Sequence, residues 1–182
     1  MSAGVDDFHQ KSFLDLPAPA ETGRKYRRRS VERTLAKLRV LHEELNQALY
    51  TRTEERPSIS CPDHAYVLLQ PFMGYLDHEE LWVLNLNTRN LVMHIVKVYQ
   101  GSVNSSQVRV AEVFKQAIID NAPAIILAHN HPSGDPSPSP EDLSLTRVIV
   151  QAGQLLDIQV LDHVIITASR CVSMKERGLG FS

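Results

Sequence analysis

Two histidines, His129 and His131, stand at the end of a short apolar run, Ala124-Ile-Ile-Leu-Ala128. On an extended strand, residues i and i+2 face the same side, so both imidazoles can be presented to one point. Asp142 follows across a proline-rich loop, His131-Pro-Ser-Gly-Asp-Pro-Ser-Pro-Ser139, that can fold back and bring it to the same place. Two imidazoles and one carboxylate, with a position left for water, make the ligand count of a hydrolytic zinc site. Zinc held in this way lowers the pKa of bound water to about 7 and so provides a nucleophile at neutral pH. The HxH pair alone carries little weight, because surface strands often present one. The spacing H-x-H-P-x6-S-x2-D, read at His129, His131, Pro132, Ser139 and Asp142, carries much more.

The elements that must position these residues are legible on either side. Ala124–Ala128 is fully apolar and bounded by Pro123, as expected of a central strand. Ser139 can cap a helix that has Pro140 at its first position and Glu141 and Asp142 in its first turn, running to about Leu156. The N-terminus of that helix favours an ionised carboxylate, the form that binds metal. Upstream, Leu81–Leu86 reads as a strand, Asn87–Asn90 as a turn and Leu91–Tyr99 as a second strand. Val110, Val113, Phe114, Ala117 and Ile118 recur at helical spacing, and Val160–Thr167 reads as another apolar strand. Pro62 opens a short helix reaching about Met73, and Ser173–Gly180 reads as a turn and cap. The class is α/β, a mixed sheet with helices on its faces.

The first sixty residues differ in character. Residues 1–23 show no periodicity and are expected to be disordered. From Ser30 to about Tyr50, Val31, Leu35, Leu38, Leu41, Leu45 and Leu49 mark one face of an amphipathic helix, and 51–60 read as a polar linker. This divides the chain into 1–23, a basic helix and linker at 24–60, and a domain at 61–182, with the first sixty residues separable from the last part. Arg24–Arg39 holds eight Lys/Arg against the single acid Glu32, whereas Cys61 onward holds 8 basic and 12 acidic residues. The leucine face suits packing on the domain or on a second copy of the chain in a homodimer. The basic end suits nucleic-acid phosphates, and the sequence leaves these open.

Composition excludes several classes. At 182 residues, 43% hydrophobic and 22% charged, with a net charge of −2, the chain can bury a real core and is not a polycation. Cys61 and Cys171 are far apart and form no CxxC, which argues for a reducing compartment, hence the cytoplasm, and against a deaminase-type PCxxC zinc site. Asp6 and Asp7 stand where a secretory signal would be basic and then apolar. No apolar run approaches the roughly 18 residues of a membrane span.

The motif spacing resembles the JAMM signature of the MPN (JAB) metallopeptidase family, whose fold is cytidine-deaminase-like. The stretch HNHPSGDPSPSPED is similar to its RadC-like branch in particular. VNSSQVRVAEVF before the motif and LLDIQVLDHVIIT after it agree, and the resemblance covers roughly Asp63 to the C-terminus. The helix-hairpin-helix part that longer RadC proteins carry is not evident. The resemblance implies Zn(2+) on His129, His131 and Asp142, acting on a peptide or isopeptide substrate. It also implies a glutamate near the start of an earlier strand as general base: Glu79, with Glu80 in reserve. Ser139 is implied as support for the oxyanion, beside its reading as the helix cap.

Other residues are expected to be structural. Asp162-His163 on the last strand is read as supporting the site rather than ligating. His64, His78 and His94 are read as surface histidines, Trp82 as core, and Glu112 as a carboxylate easily mistaken for the base. Three other functions compete: a DNA-associated RadC-like protein acting in repair or with mobile elements, a metal-free scaffold, and an iron site for oxygen chemistry. The intact ligand set argues against the scaffold, and the serine and glutamate fit hydrolysis better than iron chemistry.

Overall fold

The apolar run before His129 becomes the middle strand of a five-stranded mixed sheet. The computed structural model describes residues 31–45, 47, 56–101 and 108–181. The strands are β1 (Glu80–Leu86), β2 (Val92–Gln100), β3 (Ala124–Asn130), β4 (Gln159–Ile166) and β5 (Cys171–Ser173), in the order β2-β1-β3-β4-β5. β3 pairs antiparallel with β1 and parallel with β4. The parallel step is made by helix α4 (Pro140–Leu156), which crosses over the sheet as parallel pairing requires. The other helices are α1 (residues 31–45), α2 (Pro62–Met73) and α3 (Val110–Ile119).

Alternation along the strands sends side chains into two cores. Trp82, Leu84, Ile126, Ala128 and Val164 pack with Ala65, Leu69 and Met73 of α2. Leu81, Val83, Ile125 and Leu127 pack with Val113 and Phe114 of α3 and Leu145 and Ile149 of α4. A strand buried on both faces needs apolar residues at every position, which is why Ala124–Ala128 reads as a continuous run rather than an alternating one.

The α/β class and mixed sheet are as the sequence predicts, and the strand limits shift in informative ways. β3 runs two residues past Ala128, so His129 lies within the ladder, opposite Leu81 on one side and Ile165 on the other. β5 is not predicted: its three residues fall at the edge of a stretch read as a turn and cap. It pairs antiparallel with β4, and its Val172 joins Ile165 and Met174 in a small third cluster.

The chain divides into two compact units, Met1–Arg39 and Val40–Ser182. In the first, residues 31–39 are helical, with Arg33, Lys37 and Arg39 exposed. Residues 1–30, which include the segment read as disordered, the Ser30 cap and most of the basic cluster, lie outside the described residues. So do the expected helix end at 48–50 and the first half of the expected linker, 51–55. In the second unit, the His42 ring lies tilted 4.5 Å from Trp82 and edge-on 5.8 Å from Phe72, and Leu45 rests against the same core. Leu41, which the sequence places on the packing face, is 53% exposed instead.

No described helix is long and apolar enough to cross a membrane.

A chain shortened to begin at Ile59 is expected to fold, because it keeps all five strands and α2–α4. It should melt lower than the full chain by about 5 °C, the scale of a 1 kcal/mol loss, because Trp82 and Phe72 lose the cover of His42 and Leu45. Thermal unfolding followed by the fluorescence of Trp82, the one tryptophan in the sequence, measures this. A molten product would mean that the α1 face is an integral part of the core.

Candidate metal centre

The site forms where β3 ends and α4 begins. Strand pairing carries His129 into the sheet on the α4 side, beside Leu127 and opposite Leu81. Asn130 takes the α2 side, and His131 returns to the α4 side, its backbone N–H held by the Ile166 carbonyl at 3.0 Å. The prolines of the following loop then deliver the chain to the N-terminus of α4. There Ser139 closes a capping box: its Oγ accepts from the Asp142 N–H at 3.1 Å, and its own N–H donates to Asp142 Oδ2 at 2.7 Å. The cap that starts the helix therefore also fixes the third candidate ligand.

His129 Nε2 and His131 Nε2 are 2.8 Å apart. Asp142 Oδ1 is 3.1 Å from His129 Nε2, and Oδ2 is 3.5 Å from His131 Nε2. Among the described residues these three form the one group of ligand type close enough to share an ion. Their separations suit one: ligands about 2.0–2.1 Å from a tetrahedral zinc stand about 3.3 Å from each other. His131 is held in register for this, because its Nδ1 lies 2.7 Å from the Asp135 carbonyl. A carbonyl only accepts, so Nδ1 carries a proton and Nε2 is the atom turned into the cluster.

The electrostatics agree with a cation-binding cluster. Burial alone would raise the Asp142 pKa, but hydrogen bonds with His129 and His131 outweigh it and hold the carboxyl well below its usual range. His131 is subject to the desolvation that lowers a histidine pKa, yet Asp142, the Asp135 carbonyl and the charge of Glu79 push it up. His163, wholly buried, is held well below its ordinary value first by burial and then by the neighbouring His129.

The two candidate bases part company at the start of β1. Glu79 precedes the strand, its carbonyl accepts from Gly101 N–H at 2.8 Å, and its charge reaches His131. Glu80 turns to the α2 side and is 3% exposed. There it accepts from Trp82 Nε1 at 2.8 Å and Lys97 Nζ at 3.2 Å, and lies 2.9 Å from His78 Nε2. The reserve carboxylate is thus on the wrong face of the sheet for the cluster. Glu112 is exposed on α3 with Arg109 3.8 Å away.

Ser139 serves as the helix cap, and its hydroxyl proton is directed at Asp142 Oδ2, 2.7 Å away. His163 stands directly behind His129, with 2.8 Å between His163 Nε2 and His129 Nδ1. Asp162 faces the other way and holds β5, accepting from Ser173 Oγ at 2.7 Å. Two expected surface histidines are corrected: His78 lies between Asp77 and Glu80, and His94 lies 2.7 Å from the buried Asp120 carboxylate, each about three-quarters or more covered. His64 is exposed and pairs with Ser58 and Ser60.

One residue of consequence has no signal in the sequence. Asn130, between the two histidines, accepts from the Glu80 N–H at 2.7 Å and donates to the His78 carbonyl at 2.8 Å. Its amide thereby ties down the residues on both sides of Glu79.

Residues 59–179 match the family model described as the RadC-like JAB domain. A UPF0758 protein of Roseiflexus castenholzii is 50% identical over 155 residues, covering 85% of this chain and 66% of the relative. One from Chloroflexus aurantiacus is 54% identical over 128 residues, 70% of this chain and 56% of the relative. One from Desulforudis audaxviator is 47% identical over 126 residues, 69% and 55% respectively. The chain spans between about half and two thirds of the length of these relatives.

Proposed function

The chain belongs to the RadC-like JAB domain family, and on that premise we propose that it is a zinc-dependent hydrolase cleaving the amide bond of a peptide or isopeptide substrate. The observation that carries this reading is the convergence of His129 Nε2, His131 Nε2 and the Asp142 carboxylate within 3.5 Å of each other. A zinc ion on these three residues would polarise the substrate carbonyl and lower the pKa of water to about 7. The chain's own groups do the rest. Glu79, whose charge reaches His131, takes a proton from the attacking water and returns it to the leaving nitrogen. The loop from His131 to Ser139 keeps both imidazoles and the carboxylate in register. Ser139 can support the oxyanion once its hydroxyl turns from Asp142 Oδ2 toward the substrate.

The test is elemental analysis of protein purified without a histidine tag, followed by a screen of peptides and lysine-linked isopeptides. About one zinc per chain is expected. Iron in place of zinc would move the site to oxygen chemistry, and failure to take up any added metal would sink the proposal.

A further inference from the structure

We infer that Thr146 and His163 form a one-way hydrogen-bond relay that fixes a proton on His129 Nδ1 and so keeps its Nε2 as the atom presented to a metal. The inference rests on the metal-binding reading above and assigns work to a buried pair that hydrolysis itself does not use.

Three short contacts run in series. His129 Nδ1 is 2.8 Å from His163 Nε2, His163 Nδ1 is 2.6 Å from Thr146 Oγ1, and Thr146 Oγ1 is 2.6 Å from the backbone carbonyl of Asp142. All three side chains are at 0% exposure, so no solvent supplies or removes a proton. The direction follows from the last member. A carbonyl oxygen can only accept, and a threonine on a helix commonly donates to the carbonyl four residues back. The single hydroxyl proton of Thr146 therefore goes to Asp142. The remaining neighbour on that side, Met174 Sδ at 3.5 Å, is also only an acceptor.

With its proton committed, Thr146 Oγ1 can meet His163 Nδ1 at 2.6 Å only as an acceptor, so Nδ1 of His163 carries a hydrogen. A buried imidazole whose hydrogen-bond partners are another imidazole and a hydroxyl stays neutral, since a charge there would be costly. His163 Nε2 is then bare and accepts from His129 Nδ1–H. With a proton fixed on Nδ1, His129 turns Nε2 toward His131 and Asp142 as the atom open to a metal. The reverse order would leave two oxygens 2.6 Å apart with no hydrogen between them.

The chain is also held mechanically. Gly180, at φ +79°, crosses above Thr146 so closely that a Cβ there would lie 2.9 Å from Thr146 Cβ and Cγ2. The relay starts at one candidate ligand and ends on the backbone of another, so His163 and Thr146 are positioning residues rather than catalytic ones.

Long-range proton–nitrogen spectra of the histidines in the full-length, metal-free protein test this without reference to activity or to whether zinc is taken up. His163 should carry its proton on Nδ1, with Nε2 unprotonated, and His129 should carry one on Nδ1. Finding His163 protonated on Nε2 would overturn the inference. A second arm measures zinc affinity by chelator competition. Thr146→Val should weaken it by about 10- to 100-fold, the usual scale for groups that orient a ligand. Thr146→Ser, which keeps the hydroxyl, should restore it. Thr146→Val with unchanged affinity and an unchanged His163 tautomer would equally overturn the relay.

Discussion

Asp142→Asn is expected to leave the protein folded and to lose both zinc and hydrolysis. The substitution keeps the size of the side chain and an oxygen that can still accept from the Ser139 N–H, as Asp142 does now at 2.7 Å, so the start of α4 survives. What disappears is the charge. His129 Nε2 and His131 Nε2 stand 2.8 Å apart, and among the described residues the Asp142 carboxylate is the anion in reach of both. Without it the cluster offers two neutral nitrogens and an amide to a dication. Zinc affinity should fall by more than about 100-fold, beyond the 10- to 100-fold that loss of a supporting hydrogen bond produces. Chelator competition and circular dichroism on the same sample check it. Retention of one zinc per chain by the folded variant would remove Asp142 from the ligand set.

Much of this centre is legible in the sequence because it is local. His129 and His131 share a strand end, and Ser139, Pro140 and Asp142 spell out the start of a helix; strand parity and capping chemistry need no long-range knowledge. The parts that are not legible depend on pairing between distant segments. The sequence marks His163 only as support: it is 34 positions from His129, Thr146 is 17 from His163, and the parallel register of β3 on β4 decides what it touches. Asn130 between the histidines looks like filler until the β1–β3 register brings Glu80 against it. The exposure of Leu41 and the burial of His42 against Trp82 have the same origin. Periodicity places Leu41 on the apolar face and says nothing of His42, and only the partner surface decides which side turns inward. β5 is missed because three residues are too few to establish an alternation.

Adjacent glutamates at the start of β1 should give opposite phenotypes. Glu79→Gln is expected to keep its zinc and its stability and to lose hydrolysis by about 100-fold or more, the scale of a lost general base. Glu79 stands just before β1, and its charge is already felt by His131. Glutamine preserves shape and hydrogen bonding there and removes only basicity. Glu80→Gln should do the reverse. Burial alone would raise the Glu80 pKa, but hydrogen bonds from His78, Trp82 and Lys97 bring it below its ordinary value. A carboxyl with a folded-state pKa below its unfolded one, about 4.3, adds stability that is present above that value and disappears as pH falls through the depressed folded value. Removing the charge should cost about 1–3 kcal/mol at neutral pH, as for other charged buried hydrogen bonds, and should flatten the acid limb of the stability profile. Urea unfolding from pH 7 down to pH 3 would show the flattening, and turnover at pH 7 should stay within a few-fold of the parent. If Glu80→Gln abolished turnover with zinc and fold intact while Glu79→Gln left it untouched, the base would have to be reassigned across the sheet. The facing arrangement of β1 and β3 would then need to differ in the working enzyme.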